Sequence, residues 1–246
     1  MNRRARFRLV ILALTAVVAG PVPGFAQTEQ LTTVQIQVQD ALEACYQCHG
    51  PGGVSVIPSR PTIAGQKAEY IRRQLTAFRA VADTTDLAQG NGAKNADAAT
   101  HIPKRTDPVM EHMAAGLPEH LIKPIADAIA SLPCDGGTPK PPAAKAPRPQ
   151  AADACVSCHG QDGIGVQPHI PNLAGQQRSY LRRQLLLIRE TAWGAQPRKG
   201  EAWRTHPIME AQVARIKIVD VDAIARYYST LDCQGESAKS KTDAQQ

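Results

Sequence analysis

Two stretches of this 246-residue chain decide its fold, Cys45-Tyr46-Gln47-Cys48-His49 and Cys155-Val156-Ser157-Cys158-His159. Both read C-x-x-C-H. Two thiols on one turn can add across the two vinyl groups of a single porphyrin, and the adjacent histidine then lies under the macrocycle and offers a nitrogen to iron. Two copies predict two covalent haem c groups, held by Cys45, Cys48 and His49 and by Cys155, Cys158 and His159.

A C-x-x-C pair alone also serves zinc sites and thioredoxin-like dithiols. A structural zinc needs two further ligands close by, and the second pair here lies 110 residues on, inside a repeat of the same surroundings. A thioredoxin motif needs a βαβ context, which neither flank offers. Covalent haem is the reading that fits both copies.

The register of the repeat is strict. After the first motif comes P-T-I-A-G-Q-K-A-E-Y-I-R-R-Q-L, and after the second P-N-L-A-G-Q-Q-R-S-Y-L-R-R-Q-L. His49 and His159, Pro61 and Pro171, Gly65 and Gly175, Tyr70 and Tyr180, and Gln74 and Gln184 all stand 110 apart. The chain is an internal duplication. Gly136 to Gln150, rich in proline, reads as an extended linker. Domain one is therefore expected at 27–135 and domain two at 151–235, with a polar tail at 236–246. Apolar residues at helical spacing predict helices over 34–46, from 151, and over 66–80, 118–132, 176–190 and 219–231. No run alternates with period two, so the expected class is all-α, two tandem haem domains. Aromatic residues make up 4% of the chain, and a porphyrin would supply the missing large apolar filler.

Residues 1–26 read as a secretory signal, with Arg3, Arg4, Arg6 and Arg8 before a short apolar run and Gly24-Phe25-Ala26 as the cleavage site. The run is short for a membrane span, and an uncleaved anchor is the alternative. Export to the periplasm suits a covalent haem, which bacteria attach outside the cytoplasm. Without the four signal arginines, 24 basic residues face 22 acidic ones, and four propionates would bring the balance near or below zero. That argues against a nucleic-acid partner. Peripheral membrane association stays open.

The second axial ligand decides the chemistry. Met110 in D-P-V-M-E and Met209 in H-P-I-M-E stand 99 apart, in register. The histidines fail that test: His206 pairs with Asp107 and His112 with Ala211. Met113 is the alternative for the first haem, but its counterpart is Gln212. Met110 and Met209 are thus the expected distal ligands, with methionine as core filler the competing role. A His/Met pair leaves iron without a vacant position and raises its potential, which favours electron transfer over catalysis.

Around these ligands, the carbonyls of Pro61 and Pro171 could each fix a haem histidine. Arg72, Arg73, Arg182 and Arg183 could face propionates or form a solvated helix face. Tyr70 and Tyr180 could reach propionates or simply pack. Cys134 and Cys233, 99 apart, are left over; in an oxidising compartment they could pair, a bridge worth roughly 4–5 kcal/mol for a loop of this length.

Together, C-x-x-C-H-G, P-x-[IL]-A-G-Q, Y-x-x-x-Q-L, a following methionine and a closing helix, all duplicated, resemble the dihaem cytochrome c4 family. The resemblance covers most of the mature chain. It implies two class I cytochrome c domains about a pseudo-twofold axis, with haem edges close enough for internal electron transfer. It also implies a periplasmic carrier that passes single electrons from a donor dehydrogenase or bc-type, quinol-oxidising complex to a terminal oxidase or reductase. The competing readings are a dihaem enzyme, of peroxidase or thiosulfate-oxidising type, and an obligate haem subunit of a dehydrogenase. Three features depart from the family pattern: the long proline-rich linker, an extra segment near 83–100, and the two terminal cysteines.

Overall fold

The computed structural model describes residues 31–87, 104–137, 144–196 and 200–235. The expected signal at 1–26, the tail at 236–246 and most of the extra segment lie outside the described residues. Eight helices follow in order: α1 Thr33–His49, α2 Ala68–Leu87, α3 Pro108–Ala115, α4 Glu119–Ser131, α5 Asp153–His159, α6 Arg178–Ala192, α7 Pro207–Val213 and α8 Ile218–Ser229. The fold is all-α. No described helix is long and apolar enough to cross a membrane.

The helices begin where local chemistry starts them. Thr32 and Gln35 form a reciprocal capping box on α1, with bonds of 2.7 and 3.2 Å. Val38, Leu42 and His49 then fall on its buried side. In the first half these residues close on Ile71 of α2 and on Leu121, Ile125, Ala126 and Ile129 of α4. In the second half Leu181 and Ile188 of α6 meet Val221, Ile224, Tyr227 and Tyr228 of α8. Each core is small, as domains of this length dictate.

Two short helices, α3 and α7, escape apolar periodicity because they are 8 and 7 residues long. Capping makes them. Asp107 Oδ1 accepts from the amides of Val109 and Met110 at 3.2 and 3.3 Å, and proline occupies the first turn. His206 stands in the same place on α7, its Nδ1 3.4 Å from the Met209 amide. Glu111 and Glu210 reach back to the amides of Asp107 and His206 at 3.0 and 2.7 Å.

A minimal antiparallel ribbon joins the halves: β1, Arg105–Thr106, pairs with β2, Trp203–Arg204, with Arg105 opposite Arg204. Two-residue strands are too short for any alternation to announce them.

The P-x-[IL]-A-G-Q repeat builds the rest of the contact between halves. Gln66 Nε2 donates to Asn172 O and Gln66 Oε1 accepts from Asn172 N, both at 2.9 Å. Gln176 does the same to Thr62, at 2.8 and 2.9 Å. Lys67 Nζ bonds Gly165 O, and its counterpart Gln177 bonds Ser55 O. Each bond has its image in the other half, so the duplicated sequence folds back on itself with twofold logic.

Cys134 and Cys233 form a disulfide, with Cα atoms 6.1 Å apart, beside this contact. Gly65 and Gly175 make room for it. Both have positive φ, +66° and +69°, and a Cβ on them would lie 2.7 and 2.8 Å from the Cβ atoms of Cys134 and Cys233. Only glycine meets both constraints. Gly65→Ala or Gly175→Ala is therefore expected to cost about 2 kcal/mol, from left-handed backbone strain alone about 1–2. That lowers Tm by about 4–8 °C in calorimetry; an unchanged Tm would show that the bridge shifts freely.

Candidate haem sites

In each half the C-x-x-C-H stretch ends a helix, α1 or α5, so both thiols and the imidazole sit on one or two turns. None of Cys45, Cys48, Cys155 and Cys158 is in a disulfide, and each is half-buried. Burial pushes the Cys45 and Cys155 thiols up, keeping them out of the reactive thiolate class.

His49 and His159 are buried, 7% and 5% exposed. Their Nδ1 atoms lie 2.8 and 3.1 Å from the carbonyls of Pro61 and Pro171. An Nδ1–H donated to a carbonyl leaves Nε2 as the free lone pair and fixes the ring plane. Burial pushes both imidazoles below their ordinary range, against the carbonyl's opposing pull, so each ring is neutral and fit for metal. The donor set suits a haem iron, and the same carbonyl anchor recurs in both halves.

The structure places Met110 and Met209 at matched positions on α3 and α7, both half-buried. α3 packs on α2 and α7 on α6. Met209 touches the second core. Met113 faces outward, 37% exposed.

The arginines behave differently from their sequence. Arg72 and Arg73 both reach Glu69, at 2.7 Å. Arg182 is exposed, and Arg183 lies 4.0 Å from Asp107. The cations that point inward are Arg105 and Arg204, which sequence reasoning passed over. Arg105 donates to Gln74 Oε1 at 2.7 Å and to Tyr180 OH of the other half at 2.6 Å. Arg204 donates to Gln184 Oε1 at 2.8 Å and approaches Tyr70 OH of the other half at 3.3 Å. Among the described residues no carboxylate pairs with either guanidinium. Burial pushes the Tyr70 phenol up, but the charges of Arg204 and Arg105 prevail and hold it below its ordinary value. Beside Arg204, the buried Trp203 Nε1 has no hydrogen-bond partner in the chain. Two guanidiniums without an acid among the described residues, and an indole donor without a partner, are groups that anions would satisfy. The signal that could have found them is the repeat: Arg105 and Arg204 also stand 99 apart.

Comparison with known proteins agrees with this geometry. The cytochrome c family profile matches residues 144–232. The chain is 28% identical to cytochrome c4 of Azotobacter vinelandii over 194 residues, 78% of this chain and 87% of that protein. It is 27% identical to a thiosulfate dehydrogenase electron acceptor of Stutzerimonas stutzeri, covering 78% and 80%. A 76-residue stretch is 36% identical to cytochrome c-554(548) of Halomonas halodenitrificans, 31% of this chain and 82% of that one. The fold matches that of reduced recombinant cytochrome c4 from Pseudomonas stutzeri with a TM-score of 0.54 at 22% identity, covering 80% of this chain and 98% of that one.

The Glu69 cluster gives a pH test of its own. Hydrogen bonding from Arg72, aided by Arg73 and opposed by burial, holds the Glu69 carboxyl down at about 2. Its folded value lies below the ordinary carboxylate value of about 4.3. The ion pairs therefore stabilise fully above about pH 4.3, and their contribution disappears as pH falls through about 2. At about 0.5 kcal/mol per pair for such exposed partners, denaturant titration should show Glu69→Gln less stable near neutral pH, with the gap closing toward pH 2. A gap independent of pH would contradict it.

Tandem C-x-x-C-H helices, imidazoles anchored at Nδ1 and a twofold fold shared with solved relatives make this chain a c-type cytochrome carrying two covalent haem c groups, similar over most of its length to the dihaem cytochromes c4.

Proposed function

We propose that Cys45 and Cys48 hold the first haem through thioether bonds and Cys155 and Cys158 the second. His49 and Met110 would hold one iron, and His159 and Met209 the other. The carrying observation is the pair of buried imidazoles whose Nδ1 atoms are tied to Pro61 O and Pro171 O, leaving one nitrogen each for metal. The haem irons supply a one-electron couple. The chain's part is to fix the imidazoles, to present a soft thioether from a capped helix, and to keep water from the ring faces with its two cores. Arg105, Arg204 and the Trp203 indole meet the propionate charge, with Tyr70 and Tyr180 reaching the same place from the opposite half.

A histidine and a methionine to hold each iron would suit an electron carrier rather than a catalyst. We place it in the periplasm, exported by the signal at 1–26. There it takes electrons from a dehydrogenase or a quinol-oxidising complex and delivers them to a terminal oxidase or reductase. The relative named as a thiosulfate dehydrogenase electron acceptor supports a dehydrogenase as donor, which is also the observation favouring the second reading, a haem subunit bound to its dehydrogenase. Purification under native conditions separates the two: a free species of one chain's mass supports the carrier and a stable complex the subunit.

The first test is a pyridine haemochrome and a redox titration of the holoprotein, expected to give two low-spin haems with positive potentials. A high-spin component in the wild type would reopen the enzymatic reading. In Met110→Ala or Met209→Ala, one haem alone should lose its sulfur-to-iron absorption and drop on the order of 100 mV, a part of the ~0.8 V that axial ligands span. Unchanged potentials would remove that methionine from the iron. Arg204→Gln should lower a haem potential while leaving both low-spin spectra intact, because a cation near the propionates favours the added electron; no shift in potential would mean that Arg204 meets no propionate.

A further inference from the structure

The duplication lets each half serve as a control for the other, and at one place the halves diverge in chemistry while keeping their geometry. In the first half Arg79, on α2, donates to Leu117 O at 2.8 Å and pairs with Glu119 at 3.0 Å. In the second half Arg189, in register on α6, approaches the matching carbonyl, Ile216 O, at 3.4 Å. Its acid is gone, because the residue in register with Glu119 is Ile218. Arg189 stacks instead on Trp193, its Cζ 3.7 Å from the ring centroid.

The neighbours change in the same direction. Where the first half has Gly116, Pro118, Glu119 and His120, the second has Arg215, Lys217, Ile218 and Val219. All four of the latter are exposed, Ile218 at 53% and Val219 at 75%, and Trp193 is 64% exposed. Among the described residues no carboxylate forms an ion pair with Arg189, Arg215 or Lys217. Glu190 and Asp220 are the acids of the same segments, and neither forms an ion pair with these cations. An exposed tryptophan stacked on Arg189, whose side chain also reaches the chain just before two exposed aliphatics, is costly to keep on a water-facing surface and useful at an interface, where Trp and Arg dominate binding energy. Arg215 and Lys217 lie between α7, which carries Met209, and α8, which opens with Ile218 and Val219, while Arg189 and Trp193 lie at the end of α6. The whole halves follow the same polarity. Residues 27–135 hold nine basic and twelve acidic residues, and residues 151–235 hold ten and eight.

We propose that Trp193, Arg189, Arg215, Lys217, Ile218 and Val219 form a docking surface, present on the second half alone, for an acidic protein redox partner with an apolar centre. Charge complementarity selects the partner, the tryptophan anchors it, and the matching surface of the first half is closed to it by the Arg79–Glu119 pair. The proposal rests on the carrier reading and gives it a direction: one partner class exchanges electrons through the second haem.

The test uses holoprotein and an acidic flavodoxin as the probe. At low ionic strength, one electron passes from the flavodoxin semiquinone to a ferric haem, leaving oxidised flavin, ferrous haem and a released proton, and the rate saturates with probe concentration. Ile218→Glu installs the ion pair that the first half already tolerates, and Trp193→Ser removes the anchor without touching the core. Each is expected to raise the half-saturating concentration about tenfold, near 1.4 kcal/mol, with haem spectra and potentials unchanged. Glu119→Gln in the first half should leave it unchanged. Equal half-saturation for Ile218→Glu and wild type overturns the proposal, as does an equal loss in the Glu119 variant. Binding to phosphatidylglycerol vesicles that the patch variants abolish, with flavodoxin kinetics untouched, overturns it in favour of a lipid surface. Reversible potentials with indifferent flavodoxin kinetics would leave the carrier reading standing and remove only this surface.

Discussion

Two guanidiniums stand opposite each other on a four-residue ribbon, with no carboxylate paired to either among the described residues, and much of the molecule depends on how that charge is answered. Arg105 and Arg204 are held by an amide from their own half and a tyrosine hydroxyl from the other. Neutral partners satisfy the donors' geometry but not their charge. An enclosed cation without a counter-ion costs several kcal/mol, and propionates are the anions a haem brings. The halves are thus expected to draw together most firmly once both haems are in place, because each arginine's tyrosine comes from across the contact.

Hydrogen bonds give the contact between the halves its register. Gln66 and Gln176 each exchange two bonds with the opposite backbone. Such amide clamps are directional, fixing rotation as well as distance, whereas an apolar seam would tolerate sliding. The disulfide between Cys134 and Cys233 adds a covalent limit at the same place, and it can lie so close only because Gly65 and Gly175 lack a side chain. A carrier with two redox centres gains from this rigidity, because the contact between the halves would set the distance between the haems.

Much of this was legible in the sequence, and the reasons differ by element. The haem-bearing helices, the long α2 and α6 and the closing helices α4 and α8 declare themselves through motif and periodicity, because burying one face of a long helix needs a repeated apolar stripe. α3 and α7 are too short to carry a stripe and exist through capping, a signal that D-P-V-M-E and H-P-I-M-E did contain. The ribbon was invisible: two residues per strand have no period, and their pairing comes from sequence neighbours about 100 positions apart. The arginines misled for a related reason. Arg72 and Arg73 sit in the repeated motif and drew notice, yet a glutamate three and four residues away on the same helix face claims them both. Arg105 and Arg204 sit on the two-residue strands that no period announces, and among the described residues no carboxylate pairs with either.

A duplication that keeps its geometry and changes its chemistry separates what folding requires from what function selects. The proline carbonyls on the imidazoles, the glycines under the disulfide and the glutamine clamps are the same in both halves, because each half must fold around the same cofactor and pack on the other. The acid beside Arg79 and the tryptophan beneath Arg189 are not the same, although the backbone carbonyl that each arginine approaches is. Packing gives no reason for that difference, since both side-chain sets lie on the surface. Asymmetry on a symmetric frame therefore belongs to the molecule's dealings with others, and in a two-centre carrier it is what allows the two ends to be told apart.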